Sequence, residues 1–352
     1  MAEPVDNTQP SGTNSISVSS VEYLGFQKAD NSCSHRDLGF TGHIAGKWYA
    51  LFGDTLYCEG GVTDPANDPP GFHGMVRNAI SATTDDPLKV HDLNLNSDSP
   101  VAHQKQFVPY NESWGEDRFF GFGGTSLVET DSSSATGAVF YLVNANDAGL
   151  KGAGVAQVQV INGTPTVTER FGDKGYWWDA KSNPRYGDVA TFADPHSGYI
   201  YAWGGAPTSV TGWIAEQYVY QIRVRAADAF DVSKYEYWWG RAEGWKSTPL
   251  TKFDCETAVM WGTGQGQIVW NQHYGCYIFV HLSLGGGFVL LRTANKPEGP
   301  WTSDVKIYEQ AAIDGGYVYA GVAHPYLDES GRTLVISYTN NNHIQVIKAS
   351  FN

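Results

Sequence analysis

The sequence predicts an all-β protein, and a single five-bladed β-propeller is the architecture that fits it best. The chain of 352 residues contains 40 glycines and 16 prolines, 14% of its residues are aromatic and only 17% are charged. Glycine and proline at this density divide a chain into many short strands joined by tight turns. Five strand-like segments recur at intervals of about 55 to 90 residues, which indicates a repeated blade.

The five segments share one pattern, in which a glycine-containing turn leads into a strand of aromatic and aliphatic residues. A polar residue such as Asp37, Asp188 or Gln267 lies in the strand before, so we assign the segments to inner or middle strands of successive blades. They are Gly46–Gly53, Gly137–Val143, Gly198–Gly204, Gly275–His281 and Gly331–Ser337. A β-sandwich with long loops is the alternative, although long irregular repeats suit blades better than a Greek key.

The chain reads as one domain after a polar start. Residues 1–18 are expected to form a flexible tail and residues 19–352 a single propeller, because no linker or run of charge interrupts them. One short helix is predicted over Ala226–Lys234 on a connection between strands.

The net charge of −14 argues against nucleic acid and anionic membranes as partners. No apolar run approaches the roughly 20 residues of a membrane span. The first twenty residues lack the basic start and apolar stretch of a signal peptide, so the sequence as written predicts a cytoplasmic protein, or an extracellular one whose leader was removed. Glycosylation sequons at Asn111 and Asn162 are compatible with export.

Four cysteines leave two interpretations open. Cys33 and Cys58 flank the first strand pair and would form a disulfide in an exported protein, whereas four free and mostly buried thiols are the alternative. No Cys-x-x-Cys pair occurs, and the histidines show no metal-ligand spacing, so no metal or cofactor is expected. A structural calcium ion at the propeller axis stays an open alternative.

The strongest candidates for chemistry are Asp37 and Asp54. Asp37 opens one predicted strand and Asp54 closes the next, and a tight turn at Ala45–Gly46 pairs the two strands, so both carboxyl groups should lie at the same end of one blade. Two neighbouring carboxyl groups, one protonated and one ionised, are what glycoside hydrolysis needs. The structural alternative is that each aspartate caps a turn by accepting backbone hydrogen bonds.

Further candidates surround this pair. Arg77 lies with Asn78 in an otherwise apolar strand, and its charge needs a partner, for which Asp37 or Asp54 is the obvious choice. His73 precedes them on a loop, and all three are expected to bind substrate unless they serve structural roles. Asp188 and Glu256, at the entries of later blades, are reserve candidates, with strand capping or ion pairing as the alternative.

Aromatic residues offer walls for a sugar-binding funnel. Trp177 and Trp203 lie among polar loops in the sequence, and aromatic faces stack on the apolar faces of sugar rings. The alternative is that both residues fill the core between blades.

Several stretches resemble a large family of five-bladed propellers of mostly unknown function, some of whose members are bacterial endo-D-arabinanases. The similarity runs from about residue 20 to the end and is carried by Asp37–Gly39, Leu51–Thr55, Val76–Asp85, Ile268–Gly275, Leu291–Trp301 and Ala323–Pro325. The resemblance implies catalysis by two first-blade aspartates, which match Asp37 and Asp54. The stretch from Cys58 to Phe72 and the region near Trp177 depart from the bacterial enzymes, so a fungal-like branch is expected.

Taken together, these residues predict a glycoside hydrolase acting on a furanoside or related glycan. Arg36 should keep Asp37 ionised, which leaves Asp54 as the acid. A polysaccharide lyase that uses His73, Arg77 and Tyr186 on a uronate is the second hypothesis. A glycan-binding propeller without chemistry is the third.

Overall fold

A computed structural model describes residues 16–96, 102–145, 149–210, 216–283 and 286–352. Its strands form five antiparallel blades in chain order, and a short parallel pairing of residues 28–29 with residues 89–90 joins the last blade to the first. Strand β1 (Val18–Ala29) belongs to the last blade. Blade 1 consists of β2 (Ser34–Ile44), β3 (Lys47–Tyr57), β5 (Ala79–Thr83) and β6 (Lys89–Asp92), with a short β4 (Met75–Val76) paired to β3. The small hairpin β7 (Leu95–Asn96) and β8 (His103–Gln104) follows it.

The next three blades repeat this order. Blade 2 contains β9 (Gly124–Asp131), β10 (Thr136–Asn144), β11 (Leu150–Ile161) and β12 (Thr164–Arg170), with β13 (Trp178–Asp179) paired to β11. Blade 3 contains β14 (Ala190–Ala193), β15 (Tyr199–Gly205), β16 (Glu216–Arg225), β17 (Glu236–Trp238) and β18 (Trp245–Lys246), with β19 (Met260–Thr263) paired to β16. Blade 4 contains β20 (Gly266–Asn271), β21 (Cys276–Leu282), β22 (Phe288–Ala294) and β23 (Val305–Glu309).

Blade 5 closes the ring with both ends of the described chain. It consists of β24 (Val318–His324), β25 (Thr333–Asn340), β26 (His343–Phe351) and, as its outermost strand, β1. The innermost strands contact one another in a closed circle, β2 to β9, β14, β20, β24 and back to β2. The predicted five-bladed propeller is therefore confirmed, and the sandwich alternative is wrong.

The local sequence explains why these strands form. The five predicted segments are the second strands of the blades, and β10 and β21 are almost entirely buried because neighbouring blades cover both of their faces. The turn between β2 and β3 places Ala45 and Gly46 at positive φ, 53° and 75°, as a two-residue hairpin turn requires. The helix predicted over Ala226–Lys234 is wrong, since that stretch makes two 3₁₀ turns, Ala226–Asp228 and Val232–Lys234.

The remaining helical structure of the described residues is confined to single 3₁₀ turns at Pro65–Asn67, Glu112–Trp114, Ile313–Gly315 and Pro325–Leu327. No helix there is long and apolar enough to cross a membrane. The predicted tail of residues 1–18 falls mostly outside the described residues. Ile16 is buried, and the backbone N–H of Ser17 donates to the Tyr274 hydroxyl at 3.1 Å, so the last residues of that range already contact the propeller.

The strand directions define one functional end of the propeller. Each blade repeats the same antiparallel order around the ring, so all innermost strands begin at the same end, where every second strand finishes and every third strand starts. We call this end the mouth. Asp37 near the start of β2, Asp54 near the end of β3 and Tyr319 near the start of β24 lie there.

A disulfide between Cys33 and Cys58 anchors the long loop after β3, so the first of the two cysteine interpretations is correct for this pair. Cys255 and Cys276 are free. The bond spans 25 residues of sequence.

Replacing Cys33 and Cys58 together with serine should lower the free energy of unfolding by about 3 kcal/mol, since a cross-link of this span restricts the unfolded chain. Urea denaturation followed by tryptophan fluorescence measures the loss, and reductant should reproduce it in the wild type. Cys255→Ser, which removes a free thiol, serves as the control and should change little. Equal midpoints with and without reductant would contradict the expectation.

Candidate active site at the mouth

Two β-bulges in the β2–β3 hairpin direct the side chain of Asp37 toward the mouth, and the second bulge restores the register that the first one shifts. Arg36 pairs with Thr55 and Leu38 pairs with Phe52, so Asp37 faces two residues of β3, Gly53 and Asp54. Leu38 then adopts φ 66° and the chain regains its register. β-Bulges of this kind re-aim side chains and are frequent next to active sites.

Gly53 has no substitute at this position. A methyl group on its Cα would collide with Oδ1 of Asp37 and would approach Cδ1 of Leu38 to 2.9 Å. The glycine of Phe-Gly-Asp-Thr therefore makes room for the Asp37 carboxyl group. This steric requirement explains why the motif has glycine at this position.

The last blade supplies the partner of Asp37. The hydroxyl group of Tyr319 donates a hydrogen bond of 2.6 Å to Oδ2 of Asp37. A second register shift, between Tyr319 and Val322, accompanies a positive φ of 59° at Ala320. The backbone N–H of Leu38 also donates to Oγ1 of Thr339 at 2.8 Å. Two bulged strands from neighbouring blades thus fix one carboxyl group.

Asp54 lies in a different environment from Asp37. Its Oδ2 accepts a hydrogen bond of 3.1 Å from Nη1 of Arg77, and the two side chains remain 41% and 22% exposed. The expected pairing of Arg77 with a first-blade carboxylate is therefore present. Asp54 is half-buried at the mouth, with a cation beside it.

These surroundings separate the protonation behaviour of the two carboxyl groups. Burial, reinforced by the nearby negative charge of Asp54, raises the pKa of Asp37 to about 7, against the opposing hydrogen bond from Tyr319. Oδ1 of Asp37 is shielded from solvent and accepts no well-formed hydrogen bond from any described residue. Burial also raises the pKa of Asp54, but the charge and hydrogen bond of Arg77 oppose the shift. Asp37 is therefore the group that keeps its proton near neutral pH.

The reason that the sequence offered for an ionised Asp37 is wrong. Arg36 does not neutralise Asp37, because its guanidinium group turns away and forms a two-pronged ion pair with Asp92, at 2.9 and 3.0 Å. Both members of that pair are buried. Alternation along β2 explains the difference, since neighbouring residues of a strand point to opposite faces.

His73 and Asn78 occupy different surroundings. His73 lies on the loop after β3, near Asp68, whose pKa is lowered because hydrogen bonds from the backbone of Glu59 and from His35 outweigh the effect of burial. Asn78 is buried, and its Oδ1 accepts a hydrogen bond of 2.6 Å from the backbone of Val108. Asn78 thus holds a connecting segment in place, which is a structural role.

The two reserve carboxylates are both held in ion pairs. Asp188 is buried and accepts a hydrogen bond of 3.0 Å from Nε of Arg185, whose charge opposes the rise that burial causes in the Asp188 pKa. Glu256 is exposed and pairs with Lys252. The alternative considered for these residues, ion pairing, therefore describes both of them.

Of the tryptophans expected to line the funnel, Trp203 belongs to the core and Trp177 is partly buried against it. Trp203 is fully buried, and Trp177 packs edge-on against Trp178 and Tyr235. A sugar ring cannot reach Trp203, so its predicted binding role is wrong. Tyr186, named for the lyase hypothesis, is also fully buried, and the three lyase residues do not meet in one accessible place.

Among the described residues, one group of three could in principle hold a metal ion, namely His35, Cys58 and Asp68. Cys58 is bound in the disulfide and has no thiolate to offer. The axial calcium considered from the sequence stays a prediction.

Tyr319 is the site residue that the sequence analysis did not single out. The sequence around Tyr319 gave little indication of a functional role, because a tyrosine in an aromatic-rich strand is usually a core residue.

Residues 142–349 match the family model described as a domain of unknown function, DUF4185. The match covers more than half of the chain. The chain belongs to the DUF4185 family. Within this DUF4185 protein, Tyr319 lies in the matched stretch, whereas Asp37, Asp54 and Arg77 precede it. No curated protein matches the chain. The arabinanase relationship and the fungal branch expected from the motifs stay predictions.

Several solved structures share the fold of this DUF4185 protein. A Bacteroides ovatus protein provisionally named a hydrolase superposes with a TM-score of 0.59 at 17% identity, over 92% of this chain and 86% of that one. An N-acetylgalactosamine deacetylase from F. plautii, in complex with blood group B trisaccharide, has a TM-score of 0.51 at 12% identity, with 94% and 95% covered. A GH43_1 enzyme from Xanthomonas citri, complexed with xylotriose, has a TM-score of 0.50 at 13% identity, with 91% and 90% covered. At these identities the likeness concerns the fold alone.

Proposed function

We propose that this protein is a glycoside hydrolase in which Asp37 is the general acid and Asp54 the ionised nucleophile or base. The observation that carries the proposal is the contrast between two neighbouring carboxyl groups at one mouth. Asp37 is shielded and holds its proton to about pH 7, whereas Asp54 is only half-buried and pairs with Arg77. Two carboxyl groups with separated pKa values are the arrangement that cleaves glycosidic bonds.

The chemistry follows from these positions. Asp37 would donate its proton to the oxygen of the leaving sugar, while Asp54 would attack the anomeric carbon directly or remove a proton from an attacking water molecule. Arg77 opposes the rise in the Asp54 pKa, which favours the ionised form, and its hydrogen bond orients the carboxylate. The Tyr319 hydroxyl stabilises the carboxylate that Asp37 becomes after proton transfer, so Tyr319 is a positioning residue.

The proposed substrate class, a glycan, is supported by the solved structures that share the fold and not by the carboxyl pair. The solved structures that share the fold include proteins in complex with xylotriose and with a blood group trisaccharide, which favours a glycan. Since one of those proteins is a deacetylase, the fold does not choose the reaction, and the carboxyl pair is the reason to prefer hydrolysis. The sequence motifs favour a furanoside such as an arabinan as the first substrate to test.

A panel digestion tests the proposal. D-arabinan, L-arabinan, rhamnogalactan-type gums and hexans are incubated with the wild type, Asp37→Asn and Asp54→Asn, and reducing ends are counted. Release by the wild type that collapses in both variants would support the proposal. Release that persists in both would place the chemistry elsewhere. Glycan binding without release by any protein would favour a binding propeller, and a product absorbing in the near ultraviolet would favour a lyase.

Tyr319→Phe should move the alkaline limb of the pH–rate profile. The wild type is expected to lose activity as pH rises through about 7, where Asp37 loses its proton. The Tyr319 hydrogen bond lowers the pKa of Asp37, so its removal should raise that pKa and shift the limb to higher pH, with the acid limb unchanged. Profiles of kcat/KM for the two proteins measure the shift. A uniform loss at every pH would indicate a merely structural tyrosine.

A further inference from the structure

A second feature of the mouth lies outside the carboxyl pair. A polar cleft of about 280 Å³ lies beside the pair, between the disulfide-anchored loop after β3 and the turn that joins β25 to β26. Its walls include Tyr57, His35 and Asp68 on the blade 1 side, and Asn341 and Asn342 on the blade 5 side. This volume is near the lower end of the range for small-molecule sites.

The cleft lies next to the proposed site along the β2–β3 hairpin. The carbonyl oxygen of Asn342 accepts a hydrogen bond of 2.8 Å from the backbone N–H of Arg36, the residue before Asp37. On the opposite wall, Leu56 follows Asp54 by two positions on β3. A chain molecule bound over the two carboxyl groups would therefore enter this cleft as it extends outward.

The polar groups of the cleft are held in fixed positions. Nε2 of His35 lies 2.9 Å from Oδ2 of Asp68, whose other oxygen accepts a hydrogen bond from the backbone of Glu59. Asn341 and Asn342 both adopt positive φ, 51° and 60°. Side-chain amides, an imidazole and a carboxylate offer both donors and acceptors, which suits the hydroxyl groups of an uncharged sugar.

Two unusually exposed aromatic side chains flank the cleft. Tyr317 is 80% exposed and Phe72 is 70% exposed, the highest values among the large hydrophobic side chains of the described residues. Phe72 follows the cleft residue Gly71, and the carbonyl oxygen of Tyr317 accepts a hydrogen bond of 3.0 Å from Asn341. Aromatic rings left in water beside a polar cleft indicate a binding surface.

We propose that this cleft is a subsite for the outer sugar rings of a neutral oligosaccharide or polysaccharide, with Tyr317 and Phe72 as stacking platforms. The ligand class rests on the proposed glycan-cleaving function. The subsite makes the protein selective for chains over short fragments, because the outer rings gain contacts that a disaccharide at the carboxyl pair does not reach. The net charge of −14 favours an uncharged chain.

The test measures affinity as a function of chain length. Isothermal titration uses arabinan, xylan and β-1,3-galactan oligosaccharides of two to six rings, in an Asp54→Asn background that prevents cleavage. Tyr317→Ala and Phe72→Ala should each weaken hexasaccharide binding about tenfold, the effect of losing one stacking contact, and leave the disaccharide unchanged. Tyr317→Phe, which keeps the ring, should bind as tightly as the parent. Ile161→Ala, an exposed residue at the end opposite the mouth, is the matched control.

The possible outcomes distinguish failure of the subsite proposal from failure of the hydrolase proposal. Unchanged hexasaccharide affinity in both alanine variants overturns the subsite, even where the wild type cleaves the glycan. Chain-length-dependent binding that both variants lose supports the subsite, even where the wild type cleaves nothing and hydrolysis fails. The absence of binding to every oligosaccharide overturns the subsite, and turnover by the wild type then decides the hydrolase separately.

Discussion

Asp37→Asn should lower kcat by about two to four orders of magnitude without destabilising the protein. An amide cannot donate the proton that the leaving sugar needs, and general acid catalysis contributes about this much. Because the pKa of Asp37 is raised to about 7, the folded protein binds that proton more tightly than the unfolded chain does. Stability linked to Asp37 therefore falls as pH rises from about 4 to about 7, and the neutral amide removes that fall.

Rates on the best glycan of the panel, together with urea midpoints at pH 5 and pH 7.5, measure both effects. Glu256→Gln is the matched control, since Glu256 is an exposed carboxylate paired with Lys252 and should change neither quantity. A variant that loses activity and also loses stability at neutral pH would indicate that Asp37 supports the fold. An active Asp37→Asn protein would remove it from the mechanism.

Asp92→Ala should produce the largest loss of stability, about 3 to 5 kcal/mol. Asp92 is buried and accepts hydrogen bonds from Arg36, Ser32 and Ser81. Its removal leaves the guanidinium group of Arg36 buried without a counter-charge, which costs far more than the loss of an exposed pair. Urea denaturation followed by tryptophan fluorescence gives the change.

Asp30→Ala provides the comparison, because Asp30 pairs with His91 on the surface of the same blade and should cost less than 1 kcal/mol. An apolar double variant, Arg36→Met with Asp92→Leu, should recover part of the loss, since no buried charge remains. Equal losses for Asp92→Ala and Asp30→Ala would contradict the assigned burial of the ion pair.

The sequence was informative where one local pattern determines the structure. The Ala45–Gly46 turn and the positions of Asp37 and Asp54 on paired strands could be predicted because hairpin geometry is local. The second strands of the blades could be located because most of their residues are buried, as in β10 and β21, and their sequences are therefore rich in apolar residues.

The sequence was uninformative where the outcome depends on contacts between distant segments. Tyr319 is 282 residues from Asp37 in the chain, and no pattern around either residue announces their hydrogen bond. The partner of Arg36 depends on which face of β2 it points to, and Asp92, its partner, lies 56 residues away in the chain. Aromatic content alone did not separate the core residue Trp203 from the exposed Tyr317, because that distinction is set by how the blades pack.

The closure of the ring by β1 and β26 has a consequence for biosynthesis. Residues 18–27 pair with residues 344–351 inside blade 5, so this blade, and with it the seam between blades 5 and 1, is complete only after nearly the whole chain has left the ribosome. The hydrogen bond from Tyr319 to Asp37 crosses that seam. A nascent chain with four finished blades would thus lack the assembled mouth. The proposed hydrolase activity would first appear when blade 5 is complete and the ring has closed.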